Sequence, residues 1–426
     1  MPFAPNTHCA TAPVYLDHAA TTPVSAEVLD AMAPLWQQSF ANPASLHTPG
    51  RQAKQHWQWA LDTLAEVFFT QPADWILTSG GTEADNLAIL GVARAQKQAR
   101  PLATPHLIVS AIEHAAVLEA ARFLEAYEGF HVSYLPVDAC GRVTVETLEA
   151  AIRPETVLVS VMHGNNEVGT LQPIDALGSL CRARGVPFHT DAVQTAGKLP
   201  LDLSQLPVDY LTLSAHKLYG PKGVGALYCH PHAPRPQPLV YGGDQQQGLR
   251  PGTVPVYLAV GLAAALQQCV QQQATEIPRL WALTTHLQQQ LQMALGDAFT
   301  SQPRPAGTTV QPNTRLWLNG PAEASARVPG LVNLSVPGRE GEALVLNLDL
   351  QGFAVSSGSA CHSGRQEPSS VLLAMGADPS RARGSVRIAL GRSSTQADLD
   401  RLVAALVRLL PTEESLLERR VQGDAT

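Results

Sequence analysis

The chain has 426 residues, with 29 Lys and Arg against 36 Asp and Glu, which gives a formal net charge of −7. A hydrophobic fraction of 45% with 15% charged residues is typical of a folded globular protein and excludes a disordered chain. The acidic balance and the absence of a Lys/Arg-rich run argue against a nucleic-acid partner. No apolar stretch reaches the ~20 residues of a membrane span, so we expect no membrane partner.

The six cysteines lie far apart, with no Cys-x-x-Cys pair. This spacing argues against a zinc, iron–sulfur or disulfide framework, so we expect reduced thiols and no metal site. The first residues, Met1 to Asn6, lack the basic start and apolar core of a signal peptide. We therefore expect a cytoplasmic location.

After a leader at 1–12 and a short strand from Val14, the pattern predicts a helix capped by Ser25 and a helix from Gln52 to Val67. Strands and helices then alternate from about residue 75 to 230. The predicted strands are Trp75 to Ser79, Leu107 to Ser110, His131 to Pro136, Val157 to Met162, Val186 to Thr190, Tyr210 to Leu213 and Ala226 to Tyr228. Helices are predicted from Glu83 to Gln98 and from Ile174 to Arg184. This alternation predicts an open, mostly parallel α/β sheet with its site at the carboxyl edge.

The second half begins with two predicted helices, Val256 to Gln273 and Ile277 to Leu295. Residues 300–330, rich in Pro, Gly and Ala, are interpreted as a surface insertion. Strand and helix signals resume at Leu331 and continue to about Leu410. We therefore predict a large domain at 14–270, a smaller α/β domain at 271–410 with residues 1–20 packed nearby, and a tail at 411–426.

Polar residues collect where the predicted strands end. Gly80, Gly81 and Thr82 join a strand to a helix, and such a turn exposes backbone N–H groups that bind phosphate. A purely structural turn has the same pattern. Lys217 lies in a glycine-rich turn after Tyr210 to Leu213, where its amine can condense with a carbonyl while Ser214 and His216 hold a phosphate beside it. This stretch suggests a pyridoxal-phosphate (PLP) site, although an ordinary solvated lysine fits equally well.

Two further strand ends carry candidate groups. His114 follows one strand, at the end of the sheet where it can lie on a cofactor ring. A PLP site needs a carboxylate against the pyridine nitrogen, and we favour Asp191 over Glu167 for that place. Either acid can instead be a helix cap or a turn residue.

In the second domain, Ser356 to Arg365 is a loop of small residues around Cys361. A mobile loop can bring a thiol to a site, and an ionised thiol is a nucleophile; a cysteine that merely lies in a loop is the alternative. Arg387, in the predicted strand Ser385 to Leu390, is a candidate for binding a substrate carboxylate through two hydrogen bonds.

Five segments in this order resemble the cysteine desulfurases of the class V aminotransferase family. They are Leu16 to Pro23, Ser79 to Asn86, Met162 to Gly169, the Lys217 stretch and Ser356 to Cys361. The resemblance extends over about residues 14 to 410. It implies a fold-type I PLP transferase, with a mostly parallel seven-stranded sheet in the large domain and a smaller C-terminal α/β domain, acting as a homodimer.

The resemblance also implies residue roles. Lys217 would form the Schiff base with PLP, Asp191 would pair with the pyridine nitrogen, and His114 would stack on the ring. The remaining cofactor contacts would be Asn166 and Gln194 to the ring oxygen, Gly81, Thr82, Ser214 and His216 to the phosphate, and Thr253 to the phosphate of the partner subunit's site. Arg387 and Asn166 would fix the substrate carboxylate.

The implied reaction converts L-cysteine to L-alanine and leaves a persulfide on Cys361, with Lys217 and His114 as proton carriers. A scaffold or sulfur-acceptor protein would take the sulfur, for iron–sulfur cluster assembly or another transfer. Selenocysteine or cystine lyase activity on the same fold is the alternative, and a non-catalytic sulfur carrier is a more distant one. The chain departs from the family's usual Thr-Ser-Ala after the cysteine, with His362 to Arg365 at that place, which leaves the acceptor open.

Overall fold

The structure is a computed structural model that describes residues 13–100, 104–300, 314–357 and 367–410. Its strands and α-helices are, in chain order, β1 (Val14–Tyr15), α1 (Ala26–Met32), α2 (Pro34–Gln37), α3 (Thr48–Phe68), β2 (Trp75–Thr78), α4 (Gly81–Asn86), α5 (Val92–Ala99), β3 (His106–Ser110), α6 (Ala115–Glu128), β4 (His131–Leu135), α7 (Val145–Ala151), β5 (Thr156–Ser160), α8 (Ile174–Ala183), β6 (Phe188–Asp191), β7 (Tyr210–Ser214), β8 (Gly225–Cys229), α9 (Val256–Leu295), β9 (Phe299–Thr300), β10 (Leu316–Asn319), β11 (Leu331–Ser335), α10 (Gly341–Asp349), β12 (Phe353–Ala354), β13 (Ser356–Ser357), α11 (Ser370–Ala374), α12 (Pro379–Arg383), β14 (Ser385–Ala389) and α13 (Gln396–Leu409).

The large sheet has the order β2-β8-β7-β6-β5-β3-β4, seven strands among the described residues. Strands β7, β6, β5, β3 and β4 pair in parallel, whereas β8 is antiparallel to both β2 and β7. Strands β3, β5 and β7 are buried along their whole length, because helices cover both faces of the sheet. The predicted mostly parallel α/β fold is confirmed.

The helix predicted from Glu83 to Gln98 begins earlier, at Gly81, and is not a uniform α-helix. A π-helical turn at Leu87–Gly91 connects α4 to α5. The predicted cap of α1 is confirmed, since the Ser25 hydroxyl accepts a hydrogen bond from the Val28 N–H. Strand bounds agree with the sequence to within two residues in the large sheet, because buried parallel strands appear as continuous apolar runs.

Two predictions for the second half are wrong. The break between Gln273 and Ile277 does not occur: α9 is one helix of 40 residues with Pro278 inside it. Proline removes one backbone donor, but packing of the helix on both sides of that position maintains its path. Despite its length, neither α9 nor any other helix within the described ranges has the apolar character that a bilayer-spanning segment needs.

The predicted surface insertion at 300–330 is also wrong for its second part. β10 is fully buried in a sheet of order β13-β14-β11-β10-β9. Its two faces are both covered, and they are lined alternately by Leu316, Trp317 and Leu318. Burial of these apolar side chains stabilises a strand here, although the neighbouring Pro and Gly residues favour a loop. Residues 301–313 lie outside the described residues, as do the leader at 1–12 and the tail at 411–426.

Two large apolar clusters flank the middle of α9. Its first half, up to Cys269, packs into the core of the large sheet, and its second half, from Leu283, packs with the small sheet. β1 pairs in parallel with β12, and Leu16 belongs to the second cluster. The division near residue 270 and the packing of the N-terminal residues stay predictions, and these contacts support them.

Arg327 is a fully buried cation that ties a large-domain loop to the small sheet. Its guanidinium donates to the carbonyl oxygens of Val168 at 3.0 Å, Asn319 at 2.5 Å and Pro321. Burial lowers the pKa of Arg327 to about 9, so the group is still charged at neutral pH. One buried side chain therefore donates hydrogen bonds to three backbone carbonyls from two parts of the fold.

We expect Arg327→Met to lower the free energy of unfolding by about 3 kcal/mol, because three buried carbonyls lose their donor. The measurement is a urea titration followed by circular dichroism. Arg408→Met, which removes an exposed arginine bound to Gln351, is the matched control and should change stability by about 0.5 kcal/mol at most. Equal effects of the two substitutions would contradict this account.

Candidate functional site

A cavity of about 300 Å³ lies at the carboxyl ends of the parallel strands. Its lining contains ten of the residues singled out from the sequence: Gly81, Thr82, His114, Asn166, Asp191, Gln194, Ser214, His216, Lys217 and Arg387. Loops after β2, β3, β5, β6 and β7 provide most of them, because parallel strands end at the same edge of a sheet. Arg387 comes from β14 of the small sheet, so the cavity lies between the two sheets.

Lys217 enters the cavity from a 3₁₀ turn that directly follows β7. Its ammonium donates to the carbonyl oxygens of Ala19 at 2.7 Å and Ala20 at 2.6 Å. Thr22 fixes the same N-terminal segment, since its hydroxyl donates to the His216 carbonyl and accepts from the Tyr219 N–H. No sequence pattern assigned a role to Ala19 and Ala20, because their contribution is made by the backbone.

His114 is the N-cap of α6, and its Nδ1 accepts a hydrogen bond from the Ala116 N–H at 3.1 Å. In the neutral ring the proton is therefore on Nε2. Burial lowers the pKa of His114; the Asp191 carboxylate opposes this shift, and the Lys217 ammonium adds to it. The ring is thus a neutral donor at the cavity wall at neutral pH.

Two buried carboxyl groups line the cavity, Asp191 and Asp85. Asp191 accepts from the Val193 N–H at 2.8 Å, and burial raises its pKa while His114 and Lys217 work against that rise. Burial and the nearby Asp191 raise the pKa of Asp85, whose Oδ1 has no hydrogen-bond partner among the described residues. Sequence reasoning did not single out Asp85, although it lies inside the Ser79 to Asn86 motif. Glu167, the alternative to Asp191, is absent from this lining and accepts from the Ser369 hydroxyl at 2.5 Å.

Arg387 reaches the cavity with two of its nitrogens engaged. Nη2 pairs with Asp17 Oδ1 at 2.8 Å, and Nη1 donates to the Asn166 carbonyl at 3.0 Å. Nε is buried and meets no partner within the described part of the chain. The guanidinium therefore has an unused donor, and Asp17 already shows that it accepts a carboxylate.

Two predicted site residues are not brought to the cavity by the described structure. Thr253 is exposed, in the segment before α9, and is not part of the lining. Cys361 lies outside the described residues, as do most of the small residues around it. The strand that leads toward it, β13, pairs with β14 so that Ser356 is opposite Arg387.

The sequence matches the aminotransferase class-V family over residues 14–402. The chain belongs to this family. It is 41% identical over 399 residues to the cysteine desulfurase IscS of Dictyoglomus turgidum, covering 93% of this chain and 94% of that protein. The Escherichia coli IscS (strain HS) is 41% identical over 394 residues, with 91% and 90% coverage.

Solved structures share the fold of this chain. A NifS-like protein superposes with a TM-score of 0.81 at 33% identity, over 93% of this chain and 99% of that one. A structure described as SspA in complex with cysteine gives a TM-score of 0.72 at 33% identity, over 88% and 98%. The resemblance to cysteine desulfurases and the fold-type I architecture are confirmed, whereas the individual residue roles stay predictions.

Class-V aminotransferases are PLP-dependent in general, and the phosphate end of this cavity fits that group. The Ser214 hydroxyl is buried and has no partner among the described residues. A Cβ on Gly81 would lie 2.9 Å from Val193 Cγ2 and 3.7 Å from Ser214 Cβ, so only glycine leaves this corner open. Burial lowers the pKa of His216 to about 4, and the neutral ring shares a hydrogen bond with Thr21.

The ring end also fits PLP. The buried Asp191 carboxylate gains from a positive charge opposite it, which a protonated pyridine nitrogen supplies. Gln194 donates to the Ala19 carbonyl at 3.0 Å and accepts from Lys198 at 3.4 Å, which fixes its amide orientation.

The described residues contain no cluster of three or more His, Cys, Asp or Glu that can hold a metal ion.

We expect Asp191→Asn to weaken PLP retention at least about tenfold, because the pyridinium loses its counter-charge. The measurement is the PLP content after dialysis, together with the absorbance band of the bound cofactor. Asp85→Asn changes the other buried carboxyl of the same cavity and should retain more PLP. If Asp85→Asn loses the cofactor and Asp191→Asn keeps it, the assignment of the ring partner is wrong.

Proposed function

We propose that this PLP-dependent cysteine desulfurase converts L-cysteine to L-alanine and keeps the sulfur as a persulfide on Cys361. The observation that supports it most is the single cavity that gathers Lys217, Asp191, His114 and Arg387. An amine, a buried acid, a neutral imidazole and a guanidinium are the groups that an amino-acid reaction at PLP needs. A non-catalytic carrier has no use for this combination.

In the proposed site, Lys217 would hold PLP, Asp191 would pair with the ring nitrogen and His114 would stack on the ring. Asn166 and Gln194 would bind the ring oxygen, and the phosphate would be bound by Gly81, Thr82, Ser214 and His216. When bound, PLP withdraws electrons from the substrate carbon and so makes its proton acidic.

The substrate carboxylate binds Arg387 and the side chain of Asn166. Arg387 exchanges Asp17 for the substrate carboxylate, and its unused Nε gives that carboxylate a second hydrogen bond. Because one carboxylate replaces another, the charge around the guanidinium is conserved. The exchange therefore costs less than the burial of a new charge.

Proton movements are assigned to two side chains. The Lys217 amine takes the Cα proton of the substrate, since it lies in the same cavity as Asp191 and Arg387. His114 carries a proton on Nε2, because Nδ1 is occupied by the Ala116 N–H. The ring is therefore a proton donor toward the cavity in its neutral form.

The sulfur step uses the Cys361 thiolate as nucleophile. It attacks the substrate sulfur and forms the S–S bond, while the C–S bond breaks and its electron pair goes to the substrate carbon. That carbon takes a proton and becomes the methyl group of alanine. The sulfur is oxidised as the carbon is reduced, so the step needs no external oxidant or reductant. The one proton that the substrate sulfur loses balances the one that the carbon gains.

We expect Cys361→Ala to retain PLP and its absorbance but to lose sulfide release from L-cysteine at least about a hundredfold, because the sulfur acceptor is removed. Alanine and sulfide are measured in the presence of a thiol reductant. Cys140→Ala is the matched control, since burial raises the pKa of this thiol and keeps it protonated. If Cys361→Ala keeps full activity, the proposed desulfurase mechanism is wrong, and a cystine or selenocysteine lyase becomes the better assignment.

We also propose a homodimer in which Thr253 reaches the phosphate of the partner's site. Thr253 is exposed and lies four residues before Tyr257 of α9, whose ring is 4.0 Å from that of Trp36. Trp36 is 58% exposed, and the segment after it carries Phe40, which is 74% exposed, and Leu46, which is 89% exposed. Large exposed apolar side chains are typical of a subunit interface.

A mixed dimer tests this sharing of residues. Thr253→Val homodimers should bind PLP about tenfold more weakly, because the phosphate loses one hydrogen bond. Pairing this chain with a Lys217→Ala chain restores one complete site per dimer. We expect desulfurase activity to return to about half that of the unmodified dimer; no recovery, or a monomer in sedimentation equilibrium, would contradict the shared site.

The persulfide sulfur is transferable, so we propose a scaffold or sulfur-acceptor protein as the next partner. Iron–sulfur cluster assembly, or another sulfur-transfer route, is the proposed destination. A cytoplasmic location is proposed with it, on the sequence features given above.

A further inference from the structure

A second cavity, of about 190 Å³, lies beside the proposed active site and shares His114 and Asn166 with it. Its wall is rich in carboxyl groups: Glu113, Glu119, Glu167 and Glu367. Arg122, Ser369 and Ser370 are further polar residues of this wall. A polar cavity of this size has room for several water molecules with partners for their hydrogen bonds.

Glu113 is the innermost of these acids and is 4% exposed. Its Oε1 accepts from the Met162 N–H at 2.8 Å and from the Ser110 hydroxyl. Its Oε2 is buried and meets no partner among the described residues. Two donors on Oε1 leave Oε2 as the atom that carries a proton, and Glu113 and His114 both line this cavity.

The charges around Glu113 favour its protonated form. Asp191 and Asp85 are its buried neighbours on the cofactor side. Burial raises the pKa of Glu113 to about 8, and Asp191 adds to that rise. The carboxyl therefore keeps its proton at neutral pH.

The acids farther from His114 continue toward the surface. Glu167 accepts from Ser369, and burial raises its pKa to about 7. Glu119 pairs with Arg122 on the exposed face of α6. No positive side chain is paired with Glu113 itself in the described structure, so its proton is not displaced by an ion pair.

The sulfur step creates a need for such a group. One proton leaves the substrate sulfur and another arrives on the substrate carbon, and the two events take place at different atoms. A side chain must hold a proton between them or exchange it with water. His114 alone can carry one proton on Nε2, and a group behind it has to renew that proton.

We infer that Glu113 is the proton store behind His114 and that this cavity connects it to solvent through water and Glu167. The Glu113 carboxyl gives its proton, through cavity water, to replace the one that His114 delivers to the carbon. It then takes one back by the same path, so its charge is unchanged over the cycle. Glu113 acts through His114 and is a positioning residue for that proton, not a group that touches substrate. The inference rests on the proposed function.

Hydrogen exchange into L-alanine distinguishes proton transfer at Cα by Lys217 from the proton supply that we assign to Glu113. Holoenzyme with L-alanine in D₂O exchanges the Cα hydrogen through Lys217 and the methyl hydrogens through the carbon-protonation step, and NMR follows both. We expect Glu113→Gln to keep Cα exchange within about twofold and to slow methyl exchange at least about tenfold. Glu125→Gln, which changes an exposed acid on α6, the helix that begins just after Glu113 and His114, is the matched control and should alter neither.

The proton store is overturned if Glu113→Gln exchanges the methyl hydrogens at the rate of the unmodified protein. It is also overturned if the exchange rates at Cα and at the methyl group fall equally. Absence of both exchanges in the unmodified holoenzyme instead contradicts the proposed function. If Glu113→Gln does not fold, Glu167→Gln should slow methyl exchange about threefold without slowing Cα exchange, and an unchanged rate overturns the route.

Infrared spectroscopy gives a readout that does not depend on turnover. The spectrum of the PLP-free protein minus that of PLP-free Glu113→Gln, at neutral pH, should contain the carbonyl band of a buried protonated carboxyl; bands from Asp85, Asp191 or Glu167 occur in both proteins and cancel. The same difference taken with Glu125→Gln should contain no such band. A Glu113→Gln difference spectrum without the band means that Glu113 is ionised, and overturns the assignment.

Discussion

The buried carboxylate of Asp191 is the constraint on which the site depends. It lies at the end of β6 in a cavity with His114 and Lys217, and burial raises its pKa. A buried carboxylate is costly unless a positive charge faces it. The fold therefore favours a cation next to Asp191. The positive charge of Lys217 meets part of this need, although its ammonium donates hydrogen bonds to the Ala19 and Ala20 carbonyls.

The large sheet was predictable because most of its strands, β4 at the edge excepted, are buried on both faces. Such strands appear as uninterrupted apolar runs, and the polar residues after them mark the site edge. α9 was not predicted as one helix, since Pro278 and the polar residues before it resemble a break and only packing against two cores overrides that signal. β10 was missed for a similar reason: its four residues are hidden between segments rich in Pro and Gly.

Within the site, the sequence predicted the residues that lie in recognisable motifs at strand ends. It did not predict residues whose role depends on contacts with distant positions of the chain. Asp17 contacts Arg387 across 370 positions of sequence, and no local pattern reports that contact. Ala19 and Ala20 contribute carbonyl oxygens, so their side-chain identity carries no signal. Glu113 was passed over beside His114, because its importance comes from burial and an unpartnered oxygen, which are properties of the folded chain.

The Asp17–Arg387 pair connects these local features to the arrangement of the two sheets. Asp17 follows β1 and forms a bridge with Ala389 of β14, while Arg387 also donates to the Asn166 carbonyl from the large domain. In the proposed site, a substrate carboxylate that displaces Asp17 would leave the Asn166 contact intact, so the link between the sheets would persist during binding. Asp17 is 19% exposed and can be hydrated when it is displaced, unlike Asp191. Under this proposal, the substrate would replace only the more exposed of the two acids, and the buried acid would remain available for the cofactor.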